Sequence, residues 1–346
     1  MAQQLRDSVV VITGASSGIG RATARAFARK GAAVVLAARR AGLLRELAAE
    51  CEGLGGRALA VPTDVTDPAA VADLARAAVA RFGRIDVWVN NAAVHLFGRL
   101  EDHPAAATRR LIETNVLGYT YGAQAAIGHF RARGKGVLIN VASAVAEVPQ
   151  PYAAAYVMSK HAVRALSRTL RQELWLDGMR DIQVCPVMPA TVDTPLFRHG
   201  ANYSGRAVKA MPPVYTPEGI ADAIVRLATR PKAELVPGAA TRSVAGLHRL
   251  IPGLVERAMA RQVDQLHIVR GEPGPTDFEG NLFEPMAAGA EARDGWKARQ
   301  RRPLLPMAAA LALPVALLWG WLRGRRTPRP TLADGAARRQ GAGSPL

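Results

Sequence analysis

Val9-Val10-Val11-Ile12-Thr13-Gly14-Ala15-Ser16-Ser17-Gly18-Ile19-Gly20 is the stretch on which the fold turns. Its first five residues are all β-branched with no polar alternation, which is how a strand covered on both faces reads. The glycines then let backbone come close to a pyrophosphate. The helix that follows offers unpaired N–H groups and the positive end of its dipole. Gly14, Ser16, Ser17, Gly18, Ile19 and Gly20 are therefore candidate phosphate contacts. A glycine triplet alone is also what a tight strand–helix turn needs, so its weight comes from the strand before it and the helix after it.

Outward from this loop the same unit repeats. A helix over 18–30 stops at Gly31, and strand 34–38, helix 43–53, strand 58–61, helix 68–82 and strand 85–90 follow. Helix 105–133, strand 136–141, helix 153–177 and strand 182–188 complete the series. Short β-branched runs alternating with longer helical patterns predict an α/β domain with a doubly wound parallel sheet, the Rossmann fold. Pro186 is out of place, because it has no N–H for a central ladder; it predicts a bulge or an early end of pairing.

The second strand ends Ala37-Ala38-Arg39-Arg40. A site for an unphosphorylated dinucleotide places an acid here for the ribose hydroxyls. Ala38 stands in its place, and Arg39 can pair bidentately with a 2′-phosphate, which points to NADP(H). Arg40 reads as a solvated loop charge.

Further along, Tyr156-Val157-Met158-Ser159-Lys160 sets a phenol and an amine four apart on one helix face. A phenol titrates near ~10, too high to exchange protons readily at neutral pH, and an adjacent ammonium lowers it toward the working range. Ser143, at a strand end, is placed to hydrogen-bond a substrate oxygen and stabilise its charge. Each residue alone has an ordinary explanation: a surface pair for Tyr156 and Lys160, a helix cap for Ser143, a turn for Asn115. Their joint spacing does not.

With Asp64-Val65 after the third strand, Asn90-Asn91-Ala92-Ala93 after the fourth, Asn115 and the glycine loop, residues 5–235 resemble the short-chain dehydrogenase/reductase superfamily. The resemblance implies that Tyr156 is the general acid in reduction and that Lys160 tunes it while reaching the nicotinamide ribose. It gives Asn115 a water that links Lys160 to solvent. It adds Asp64, Val65 and Asn90 to the cofactor contacts. Pro189-Ala190-Thr191-Val192-Asp193-Thr194 resembles the family segment facing the nicotinamide amide, with Ala190 in place of glycine, so Val192 and Thr194 join them. The following stretch, 195–215, is expected to be a mobile substrate loop, with Phe197, His199, Asn202 and Tyr203 as contacts.

The formal net charge is +17, yet ten Lys/Arg against the single acid Asp334 lie between 297 and 346 and carry +9 of it. Base clustered beside one apolar segment reads as membrane contact, not nucleic-acid binding. That segment, 304–322, has no charge and would span roughly 28 Å as a helix at about 1.5 Å per residue, close to the ~30 Å hydrocarbon core. Pro306 and Pro314 interrupt it, so a crossing, a re-entrant insertion and a soluble helix all stay open. Before it, Leu247, Leu250, Ile251, Leu254, Val255, Met259 and Val263 fall at helical spacing and predict a helix packed on its own domain. Residues 271–300 read as a linker. Cys51 and Cys185 have neither disulfide nor metal spacing.

The reading is a catalytic domain over 1–240, a helical extension and linker over 241–302, a membrane segment over 303–322 and a basic, disordered tail over 323–346. The function expected is NADP(H)-dependent interconversion of a carbonyl and a secondary alcohol on a lipophilic small molecule, by a membrane-associated enzyme whose catalytic domain is cytoplasmic. A homo-oligomer is compatible with it. The rival reading is a membrane-associated NADP-binding scaffold with little turnover.

Overall fold

The computed structural model describes residues 5–299. Its main sheet is built from β1 (Val9–Thr13), β2 (Ala33–Ala38), β3 (Arg57–Pro62), β4 (Val87–Asn90), β6 (Gly136–Val141) and β7 (Ile182–Val187). The outlying β5 (Leu96–Phe97) pairs with β8 (Ala201–Asn202). All the main-sheet pairings are parallel, in the order β3-β2-β1-β4-β6-β7. The chain works outward from β1 to β3, then returns to the other side of β1 for β4. A crevice therefore opens above the C-terminal ends of β1 and β4, where ligands of such sheets bind.

Successive residues of β1 feed opposite layers. Val10 and Ile12 join Phe27, Leu44, Leu47 and Ile224, the side of α1 (Gly18–Ala28), α2 (Ala41–Gly53) and α8 (Pro217–Thr229). Val9 and Val11 join Leu74, Trp88, Ala126 and Phe130, the side of α3 (Pro68–Phe82) and α5 (Gly118–Arg133). All five residues of β1 are buried, as the unbroken apolar run predicts.

Pro186 is accommodated because β7 ends the sheet. Leu235 N–H donates to the Pro186 carbonyl at 3.0 Å and Met188 N–H to the Leu235 carbonyl at 2.8 Å. These groups face the outer edge, so the proline nitrogen faces outward with them and no ladder bond is missing.

The expected helix over 105–133 is interrupted. After α4 (Ala105–Ile112) comes a π turn, Glu113–Leu117, before α5 begins. The helix expected near 247–263 is two: α9 (Ala239–Leu250) and α10 (Pro252–Gln262), broken where Pro252 starts the second. Ala245 and Val255 pack against Val148, as a helix on its own domain requires, while Leu250 and Leu254 stay exposed.

Residues 271–299 are a correction to the linker expectation. β10 (Ile268–Pro273) pairs antiparallel with β9 (Arg206–Val208), and the chain then runs back along the catalytic domain to α11 (Trp296–Arg299). Leu282 and Ala292 are buried there. Among the described residues no helix is long and apolar enough to cross a membrane. The segment 304–322 and the tail 323–346 lie outside the described residues.

Candidate active site

The glycine loop is held by its close contacts. A Cβ on Gly14, where φ is +66°, would lie 2.7 Å from the Ala92 Cα, and one on Gly20 would lie 2.2 Å from the Gly14 carbonyl oxygen. Asn91 supports the turn, donating from Nδ2 to the Thr13 and Gly14 carbonyls at 2.9 and 3.2 Å. Ser17 precedes α1 without capping it through its side chain, so the first-turn N–H groups face the crevice with no side-chain partner from Ser17. Ile19 packs at the edge of the core. The side chain of Thr194 comes within 3.3 Å of where a Gly18 Cβ would be, so the 189–194 segment meets the glycine loop. Val192 is buried beside it and bridges Tyr215.

Tyr156 and Lys160 lie on one face of α6 (Ala154–Leu176), and both are buried. Ser143 follows β6; its Oγ donates to the Pro189 carbonyl at 3.4 Å and accepts from Val145 N–H at 3.3 Å, and its hydroxyl is near enough to act on the Tyr156 phenol. Lys160 Nζ donates to the Val141 carbonyl at 2.9 Å and approaches the Tyr119 hydroxyl at 3.4 Å. Its distance from the Tyr156 ring centroid is 5.6 Å. Burial pushes the Tyr156 phenol up to about 12, with the Ser143 hydroxyl pulling it the other way. Burial also pushes Lys160 down to about 7. The lowered phenol expected from sequence is thus reversed in this arrangement. Water is excluded from both groups, and the amine is turned toward neutral oxygens.

Asn115 sits in the π turn with no exposed surface. Its Oδ1 accepts from Val94 N–H at 2.9 Å, and its Nδ2 donates to the Val94 carbonyl at 2.9 Å and to Ser159 Oγ at 3.2 Å. The side chain thereby fixes the strand leaving β4. Asn90 also turns inward: it accepts from Trp88 Nε1 at 2.8 Å and donates to Tyr119 O and Asn140 Oδ1. Asp64 accepts from Thr66 and from Arg110, at 2.8 Å in the latter case. These hydrogen bonds hold its carboxyl below the usual range, against the burial that raises it. Val65 packs into the core close to Gly118.

Two residues were missed or misread from sequence. Arg40 is not a solvated charge: it is partly buried and donates to Ser16 Oγ at 3.0 Å. His95 stacks between Phe97 and Tyr156, at centroid distances of 3.8 and 4.0 Å, with Nδ1 unpartnered and burial holding the ring neutral. Three of the four expected substrate contacts are turned to other parts of the chain, and Tyr203 lies beside Tyr156. Phe197 meets Trp296 and His267, and the His199 carbonyl accepts from Asn281 N–H. Asn202 caps the turn at Ser204, and Tyr203 borders the apolar cluster that contains Tyr156.

Residues 8–202 match the profile of the short chain dehydrogenase family. The chain belongs to that family. An uncharacterised oxidoreductase of Bacillus subtilis, YxnA, is 38% identical over 263 residues, 75% of this chain and 73% of its own. Among solved structures, an alcohol dehydrogenase from the archaeon Thermococcus sibiricus, complexed with 5-hydroxy-NADP, is 32% identical. It covers 67% of this chain and 96% of its own at a TM-score of 0.57. A short chain dehydrogenase/reductase from Burkholderia phymatum, in complex with NAD, is 25% identical with a TM-score of 0.67, covering 73% and 97%. This short-chain dehydrogenase is accordingly an oxidoreductase acting on alcohol or carbonyl groups with a nicotinamide cofactor.

The residues present fit such a cofactor. Gly14 and Gly20 leave no room for side chains, and α1 offers first-turn donors. Arg39 and Arg40 bring two guanidiniums to the end of β2, where burial lowers the pKa of both and no carboxylate among the described residues forms an ion pair with either. Their direct hydrogen-bond partners are neutral, with the charges of Asp64 and Glu284 reaching Arg39 and that of Glu291 reaching Arg40 only from beyond ion-pair distance, so both partly buried guanidiniums favour a further anion.

Proposed function

We propose that this chain interconverts a lipophilic carbonyl and the corresponding secondary alcohol, using NADP(H). The observation that carries the proposal is the convergence of Ser143, Tyr156 and Lys160 at the sheet edge onto which the glycine loop opens. Tyr156 transfers the proton at the substrate oxygen. Ser143 holds that oxygen and stabilises the charge that develops on it. Lys160, Gly14, Ser16, Ser17, Gly18, Ile19, Gly20, Val192 and Thr194 would hold the dinucleotide, with Asp64, Val65 and Asn90 framing its pocket. A bound NADP(H) supplies or accepts the hydride. The Asn115 side chain is committed to Val94 and Ser159, so its share in any proton path falls to the main chain of its π turn.

The preference for NADP(H) is supported by Ala38 where an acid would read the ribose and by Arg39 beside it. A lipophilic substrate is supported by Val94, Leu96, Ala153 and Ala155, which share an apolar cluster with Tyr156. Membrane association through 304–322 belongs to the same proposal. Tyr156→Phe should lower turnover by ~10²–10⁴-fold with NADPH binding retained. Arg39→Ala should weaken NADPH about tenfold or more and leave NADH little changed. Full-length protein should sediment with membranes. Near-normal turnover of the phenylalanine variant on a substrate found by screening ketones and aldehydes would sink the mechanism.

A further inference from the structure

Residues 281–296 run along the crevice that the glycine loop opens onto, and their main-chain carbonyls meet the donors a dinucleotide needs. Arg39 donates to the carbonyls of Phe283 at 2.5 Å and Asn281 at 2.6 Å. Arg40 donates to those of Met286 at 3.1 Å and Ala288 at 3.2 Å, and Arg21 to that of Ala290 at 3.3 Å. Gly18 N–H, in the first turn of α1, donates to the Glu291 carbonyl at 3.1 Å. A series of peptide oxygens thus runs from the end of β2 to the start of α1.

The segment is fastened at both ends. Asn281 N–H donates to the His199 carbonyl at 2.8 Å, and Asp193 Oδ1 accepts from Asp294 and Trp296 N–H at 3.2 and 2.8 Å. Gly289 has φ +76°, and a Cβ there would lie 2.1 Å from His199 Nε2. Leu282 is fully buried in the apolar cluster that includes Tyr156.

We propose that residues 281–296 are an autoinhibitory strap, which fills the phosphate side of the dinucleotide crevice in the cofactor-free protein and is displaced when NADP(H) binds. The proposal rests on the cofactor reading above. The carbonyls satisfy hydrogen bonds but neutralise no charge; Asp64 and Glu284 offset Arg39 and Glu291 offsets Arg40 only in part, and the Arg39 and Arg21 charges act against that of Arg40. Hydrogen bonds to an anion are roughly twice as strong as neutral ones, so a phosphate replaces the strap with a net gain. NADH lacks the 2′-phosphate that Arg39 and Arg40 would receive, and it displaces the strap less well. Because apparent affinity falls with the fraction of open protein, the strap raises the apparent Kd of both cofactors by the same factor, and the preference between them is set by the contacts of the open crevice.

The first test uses the unaltered full chain. Arg293 lies within the strap and is exposed, so trypsin cleavage there, followed by mass spectrometry, reports release. Saturating NADPH should accelerate that cleavage about tenfold or more, and NADH less, since proteolysis follows the open population when opening is fast. The second test is Gly289→Val in the full chain, which should lower the Kd for NADPH about tenfold by disfavouring the closed strap. Protection of Arg293 by NADPH, or NADPH binding that is unchanged or weaker in the valine variant, would overturn the strap. If the valine variant does not fold, cleavage of the unaltered chain decides. Absence of both NADPH and NADH binding in every form would remove the cofactor reading and the strap with it. NADPH binding that leaves Arg293 cleavage unchanged removes the strap alone.

Discussion

Lys160 carries its amine where only 1% of the residue is exposed, and its hydrogen-bond partners are a carbonyl and a hydroxyl. Its pKa falls from 10.5 to about 7 because burial disfavours the charge. Between those values the unfolded chain binds the proton and the folded chain does not, so this residue makes stability rise with pH across that window, by up to about 1.4 kcal/mol per unit. Lys160→Met removes the contribution. The stability difference between the methionine variant and the parent, from denaturant midpoints, should shift in favour of the parent between pH 7 and pH 9. A difference that stays constant would show that the amine is not buried as a base. The grouping of Tyr156, Lys160 and Ser143 was legible from residue types at given spacings, whereas Asn115 came only with the family resemblance. His95 was not, because one of 7 histidines carries no spacing signal, and its stacking on Tyr156 comes from the turn that follows β4. Arg40 was misread because a charge after a strand looks the same whether it meets water or Ser16.

At the scale of elements, alternation of strand and helix was legible wherever both faces of the sheet are covered, since an unbroken apolar run admits few other readings. Interruptions were harder. The π turn at Glu113–Leu117 lies inside a continuous helical pattern, and the tertiary bonds of Asn115 to Val94 and Ser159 mark it. Pro186 predicted a disturbed strand, and its tolerance depends on β7 being the outer strand, a fact of sheet order. The β1–α1 turn is where sequence and geometry agree most closely. Gly20→Ala places a methyl 2.2 Å from the Gly14 carbonyl, a backbone atom that cannot rotate away. Such overpacking costs typically ~1–3 kcal/mol. The expected outcome is a lower thermal midpoint and at least about tenfold weaker NADPH binding, a loss of roughly 1.4 kcal/mol or more. Unchanged affinity in that variant would show that the phosphate does not approach this turn.

At the scale of the molecule, the C-terminal extension was least legible, because a segment held by its own carbonyls leaves no side-chain periodicity. Its attachment to the catalytic domain also depends on charge. Arg164 of α6 meets Glu147 and, at 2.9 Å, Glu234; Arg168 meets Glu234 at 2.6 Å; and Arg249 of α9 meets Glu147. One network therefore joins the helix bearing Tyr156, the loop after Ser143, the segment beside β7 and the first helix of the extension. Glu234 records its strength. Burial alone would raise its pKa, but hydrogen bonds and charge from Arg164 and Arg168 outweigh burial and bring it from 4.5 to about 2. A folded pKa below the unfolded value means that the stabilisation is fully present above pH 4.5 and is lost as pH falls toward 2. Its ceiling is about 3 kcal/mol at ~1.4 kcal/mol per unit, and partial solvent contact reduces what is realised to about 1–2 kcal/mol. Glu234→Gln should therefore destabilise the protein by about that amount at pH 7. The gap from the parent should close between pH 4.5 and pH 2, because the protonated parent has lost the same charge. Urea titrations of both proteins at pH 7, 4 and 3 measure it. A gap as large at pH 3 as at pH 7 would mean that packing of the side chain, and not the ion pairs, is what Glu234 contributes.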